Sequence, residues 1–224
     1  VITALTASWY HALSRAHSFA FDDWIIATRP GRFGDLLQPH NQHLSLIPIL
    51  VYRGLFAIYG LGNYVPFRLF GLSTLVGLVV AVYVYARGRG GGGPALLAAM
   101  VVLWAPSMPR VPFLGVWYLT LTFAVAVAAA LPSRRGRADA VVGLGVAAAL
   151  LTASVGVPLA GVALVHSVLS GPRLRRLAAA GVPLLAWAAW KVSFGSSDSK
   201  VESLADLAEV GWHTFLGGYA ALVG

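Results

Sequence analysis

Two adjacent carboxylates, Asp22 and Asp23, stand in the run FAFDDWII, flanked by Phe19, Phe21 and Trp24. Aromatic side chains of this kind settle where lipid meets water, and a carboxylate held there is costly to desolvate, which raises its pKa. Such a group suits a general base, and the pair suits a clamp for a cation or for sugar hydroxyls. The same two residues also fit a plainer role, capping a helical turn that starts at Trp24. Further along, His40-Asn41-Gln42-His43 places two imidazoles three residues apart, on one face if the segment is helical. Together with Asp22 or Asp23 they have the ligand types for a metal, although the HExxH spacing is missing. Lining of a polar cavity, or a helix N-terminus with Asn41 capping the stretch from Leu44 onward, needs no ion. Arg110 stands alone between Pro109 and Pro112, flanked by Trp104, Trp117 and Tyr118. Its planar fork fits a phosphate through paired hydrogen bonds, and the aromatics fit either sugar stacking or an interfacial belt.

The elements that must hold these groups are membrane helices. The chain has 224 residues, 58% hydrophobic and 11% charged, against about 45–50% apolar and about 25% charged in an ordinary soluble domain. A mean hydropathy of +0.76 agrees. The absence of cysteine excludes disulfides, thiolate zinc sites and a cysteine nucleophile. Six segments are apolar and long enough to be candidate spans: 65–86, 94–105, 112–131, 138–153, 157–169 and 177–194, with 212–224 the start of another. The second and fifth are short, so tilt or local thinning must accommodate them.

Net charge is +8, and its placement is informative. Arg87 and Arg89 follow the first candidate span, Arg134, Arg135 and Arg137 the third, and Arg173, Arg175 and Arg176 the fifth; Asp139 is the one acid among them. The positive-inside bias puts these alternate loops in the cytoplasm and puts 105–111, 154–157 and 195–211 outside. A nucleic-acid partner needs a clustered basic face, and a pattern periodic with the spans excludes that class. The Gly90 to Gly93 run lacks the strand, Lys and Ser/Thr of a phosphate-binding loop and reads as a flexible inside turn. Gly143, Gly145, Gly156 and Gly161 suit close helix packing in lipid.

The weakly hydrophobic stretch 14–64 then lies outside and carries the acidic pair and the histidines. Within it, 44–61 is apolar enough to span, yet Pro48, Arg53 near its middle and the short Gly62-Asn63-Tyr64 turn favour a helix in the outer interface or tucked into the bundle. The stretch 196–209 reads as an amphipathic surface helix with a solvated acidic face. The expected fold is an all-α polytopic transmembrane bundle with an outer-face loop and an interfacial helix, a single transmembrane domain. His166 and Lys191 lie near span ends and Pro158 and Pro183 near span starts, which favours an outer-surface site over a path through the membrane.

On these residues the chain resembles the GT-C superfamily of membrane glycosyltransferases, which includes protein O-mannosyltransferases and lipid A aminoarabinose transferases, and most of all its actinobacterial multi-pass members. The likeness rests on FAFDDW in the first outer loop, on PHNQHLSLIPILVYRGLFAIYGL after it, on YVPFRLFGL entering the next span, and on SRRGRAD ahead of ASVGVPLAG. It implies that Asp22 or Asp23 is the base for an acceptor hydroxyl or amine attacking the anomeric carbon of a polyprenyl-phosphate sugar, with inversion. Arg53, Arg68 and Arg110 would meet the phosphate, and His40, Asn41 and His43 would line the substrate site. The acceptor would be a glycan, lipid or protein of the cell envelope at the outer face of the plasma membrane. No organic cofactor is implied, and a divalent cation is left open. By the same likeness the chain is an N-terminal fragment that keeps only residues 1–13 of the first span. A multi-pass transporter or flippase for lipid-linked or small polar solutes is the alternative.

Overall fold

A computed structural model describes residues 25, 32–40, 43–104, 115–133, 135–170 and 174–194. Among these the regular structure is entirely helical: α1 (Phe33–Leu36), α2 (Leu46–Tyr59), α3 (Val65–Gly90), α4 (Gly92–Trp104), α5 (Gly115–Ala130), α6 (Gly136–Thr152), α7 (Gly156–Leu169) and α8 (Leu174–Phe194). The described residues belong to one compact unit; a second, 195–224, lies outside them and with it the predicted surface helix at 196–209. Each of the six apolar segments from 65 to 194 is occupied by a helix, α3 to α8. Two of these, α3 and α8, are long and apolar enough to cross a membrane, by length and composition. At about 1.5 Å per residue the 13 residues of α4 reach about 20 Å, short of a hydrocarbon core of about 30 Å.

Local chemistry sets the helix ends. Pro66 sits in the first turn of α3, where its missing N–H removes nothing from the ladder. Arg87 and Arg89 occupy the last turn, complementing the helix dipole, and Arg89 lies over the Tyr85 ring at 3.8 Å. The glycine run beyond is not a flexible turn. Helix α3 continues to Gly90 and α4 begins at Gly92, so the break is one residue, Gly91, with φ +79°. A residue with a Cβ is strained in that left-handed conformation, which is why the break falls on a glycine.

Three apolar clusters hold the helices. Val127, Val142, Val146, Ala160, Ala163 and Ala180 knit α5 to α8. Leu75, Leu78, Val79, Ala99, Leu103 and Tyr118 join α3, α4 and α5. Ile49, Tyr52 and Phe67 join α2 to the start of α3. In the first cluster, close approach depends on missing side chains. A Cβ on Gly145 would come within 2.6 Å of Val127 Cγ2, and one on Gly143 within 3.3 Å of the Ala179 carbonyl oxygen. A Cβ on Gly156 would meet the Leu150 nitrogen at 2.5 Å, whereas Gly161 has nothing within 4 Å and plays no part in packing. Pro183 also differs from expectation: it stands inside α8 rather than near its start, so the Ala179 carbonyl loses its i+4 donor.

Candidate functional site

Helices α5 to α8 alternate in direction, so the bundle has two chemically distinct ends. One end is built on Arg176, in the first turn of α8 and 5% exposed. Its Nε donates to the Asp139 carboxylate, Nη1 to the Leu131 carbonyl at 2.6 Å and Nη2 to the Ser133 carbonyl at 2.7 Å. The guanidinium thus closes the exposed carbonyls at the end of α5 and neutralises the acid in the first turn of α6, tying three elements together.

The other end gathers the polar segment that precedes α2. Helix α6 stops because Ala153 is extended, with φ −161° and ψ 158°, and a tight turn through Ser154 and Val155 starts α7. Across that turn, Ser154 Oγ lies 2.7 Å from His43 Nδ1. The edge of His43 meets Trp117 at the start of α5, with ring centroids 6.4 Å apart and planes at 85°. On α8, the Trp190 indole N–H donates to the Leu37 carbonyl at 2.7 Å. Neighbouring Lys191 acts on His43 through its charge. The His43 pKa is lowered below its usual 6.5, first by burial, then by the charges of His40 and Lys191, so the neutral imidazole dominates at pH 7.

The two histidines do not share a helical face. His40 and His43 exchange both backbone hydrogen bonds, N–H to carbonyl at 2.9 Å each, an antiparallel bridge that i, i+3 residues of a helix do not make. Helix α2 begins at Leu46 with Ser45 in the cap position, which places Asn41 too early in the chain to cap it. His40 lies in the interior at 4% exposure and His43 is half-buried. Arg53 and Arg68 lie on α2 and α3, whose packing is centred on Tyr52 and Phe67 with ring centroids 5.3 Å apart, and not on His43. Asp22, Asp23, Asn41 and Arg110 lie outside the described residues. Among the described residues no group of three or more His, Asp or Glu is placed to hold a metal ion.

Sequence reasoning did not single out Ser154 or Lys191 as site residues. Ser154 is 111 positions from His43, and the signal that could have found it is its place in a turn predicted to share the outer side with 14–64. What the cluster offers chemically is a neutral imidazole hydrogen-bonded to a hydroxyl, an ammonium nearby and an aromatic wall. No protein-family model, curated protein or solved structure matches the chain.

Proposed function

We propose that the chain is the polytopic membrane part of a GT-C-type glycosyltransferase, transferring sugar from a polyprenyl-phosphate donor to a cell-envelope acceptor at the outer face of the plasma membrane. The observation that carries this reading is the contact of Leu37 and His43, which follow Asp22 and Asp23 in sequence, with the ends of α5, α6 and α8 opposite the Arg176 end. A polar segment fixed there supports a substrate site at one face of the membrane rather than a path through it. Burial in lipid is supported by the outward sides of the helices. Leu97 and Val101 on α4, Val165 and Leu169 on α7, and Val182 and Leu185 on α8 are each more than half exposed, a surface too apolar for water. In this reading Asp22 or Asp23 is the base, while His40, Asn41, His43, Arg53, Arg68 and Arg110 bind the donor.

The test is sugar transfer by the full-length parent protein in membranes supplied with labelled polyprenyl-phosphate sugars. Asp22→Asn or Asp23→Asn should lower transfer about 100-fold or more at matched expression, the scale of a lost general base. Unchanged transfer in both variants removes these acids from the reaction. The transporter reading has one observation in its favour, Pro183 inside the continuous helix α8, where it removes one hydrogen bond from the ladder and the Ala179 carbonyl is set against Gly143. Movement of a lipid-linked sugar across reconstituted vesicles without bond cleavage would favour it.

A further inference from the structure

We propose that Ser154 and His43 form a nucleophile–base pair for acyl transfer from a lipid ester. The pair meets the first geometric requirement of such chemistry, a hydroxyl and an imidazole nitrogen 2.7 Å apart, brought together by the fold from positions 111 residues apart. Ser154 stands in the sharp turn between α6 and α7 and is half-buried, within reach of a substrate yet partly shielded from water. A Cβ at Gly156 would strike the backbone of Leu150, so the turn holding the hydroxyl is tightly packed and presents it in a fixed place. The imidazole is kept neutral by burial and by His40 and Lys191, which is the form that accepts a proton. Lys191 adds positive charge that is felt at His43, of the sign that favours a developing oxyanion. The N–H groups of Ser154 and Val155, in the same turn, donate to no carbonyl among the described residues. The ester is assigned to a lipid because Val155 is exposed beside Ser154 and leads onto the apolar outer side of α7, at Val162 and Val165.

Ser154 Oγ attacks the ester carbonyl carbon while its proton passes to His43 Nδ1. Collapse of the tetrahedral oxyanion breaks the bond to the alkoxy oxygen, which takes that proton from His43 and leaves as the alcohol. The acyl group remains on Ser154 as an ester. Water then attacks this ester, one of its protons passing to His43 and on to Ser154 Oγ, and the carboxylic acid is released.

This chemistry does not rest on the sugar-transfer reading, and the two are measured separately. Full-length parent protein in detergent is treated with a biotinylated fluorophosphonate and the adduct is located by peptide mass. An adduct on Ser154 in the wild type is expected, absent in Ser154→Ala. In His43→Asn, whose amide keeps a hydrogen bond to Ser154 but cannot take the proton, its rate should fall about 100-fold or more. No adduct on Ser154 in the wild type, or an unchanged rate in His43→Asn, overturns the proposal and leaves the contact as a structural tie. Should either variant fail to fold, the wild type decides alone. Its labelling rate should rise through one ionisation below 6.5 as His43 loses its proton beside His40, Lys191 and Trp117, and a rate that rises only in proportion to hydroxide overturns it.

Discussion

At the Arg176 end of the bundle the buried charge is answered: one guanidinium takes the Asp139 carboxylate and the Leu131 and Ser133 carbonyls. At the His43 end, polar groups come together without an acid among the described residues bound to them, and the imidazole is half-buried. The first arrangement uses its hydrogen-bonding capacity to fasten helices. The second holds capacity in reserve, with a neutral base, a hydroxyl and a cation beside one another. A function that needs donors, acceptors and charge is therefore to be sought at the second end, and the first is to be read as scaffold.

The largest effect expected from this comparison is at the scaffold end. Arg176→Met strands a carboxylate that is 16% exposed and two carbonyls that the guanidinium had satisfied. Breaking a buried pair from one side costs about 3–5 kcal/mol, to be measured as lost thermal stability of the full-length protein in detergent. The double variant Arg176→Met with Asp139→Leu should recover part of that loss, because it removes the lone carboxylate and leaves only the carbonyls unanswered. A single variant as stable as wild type would mean that the end is held by its apolar contacts alone.

Next in size is the turn that carries Ser154. In Gly156→Ala the new Cβ meets backbone atoms of α6, Leu150 N at 2.5 Å and Ala149 C at 2.7 Å, which no rotamer change relieves. Overpacking of this kind costs about 1–3 kcal/mol. Gly161→Ala, one turn further along the same helix with nothing within 4 Å, should instead gain about 0.5–1 kcal/mol from helix propensity. Opposite signs in thermal unfolding would establish that the α6–α7 junction, and not glycine content as such, fixes the site. Equal effects would sink that claim.

Much of the helical plan was legible in the sequence, because runs of apolar residues long enough for a helix are a strong signal wherever they occur. The tight glycines were legible too, at Gly143, Gly145 and Gly156, but composition cannot tell which side of a helix faces a neighbour, and Gly161 proved to face none. Asp139 stood out as the one acid among the basic loops, yet its partner Arg176 is fixed only by the packing of α6 against α8. The histidines were visible as a pair, with a shared helical face only as a condition, and the condition is not met because the two exchange backbone hydrogen bonds that no side-chain pattern announces. Ser154 and Trp117 join His43 through tertiary contacts and Lys191 through its charge, from three other parts of the chain, which is the information a local reading lacks.

The smallest expected effect concerns the reserve end directly. Because the native His43 pKa lies below 6.5, the unfolded chain binds its proton more readily than the folded one as the pH falls. The neutral imidazole therefore contributes stability that is fully present above 6.5 and is lost as the pH drops from there through the lowered native value. Half-exposure screens the effect, so it should be a modest slope and not a collapse. Thermal unfolding in detergent, followed from neutral to mildly acidic pH, should show wild type losing stability more steeply than His43→Asn, with the two curves parallel above 6.5. The amide keeps a hydrogen-bonding group toward Ser154 and cannot titrate, so the difference in slope belongs to the imidazole in the presence of His40 and Lys191. Identical slopes would show that protonated His43 is accommodated as well as the neutral form, and would erase the contrast between an end that holds a neutral base and an end that is merely tied.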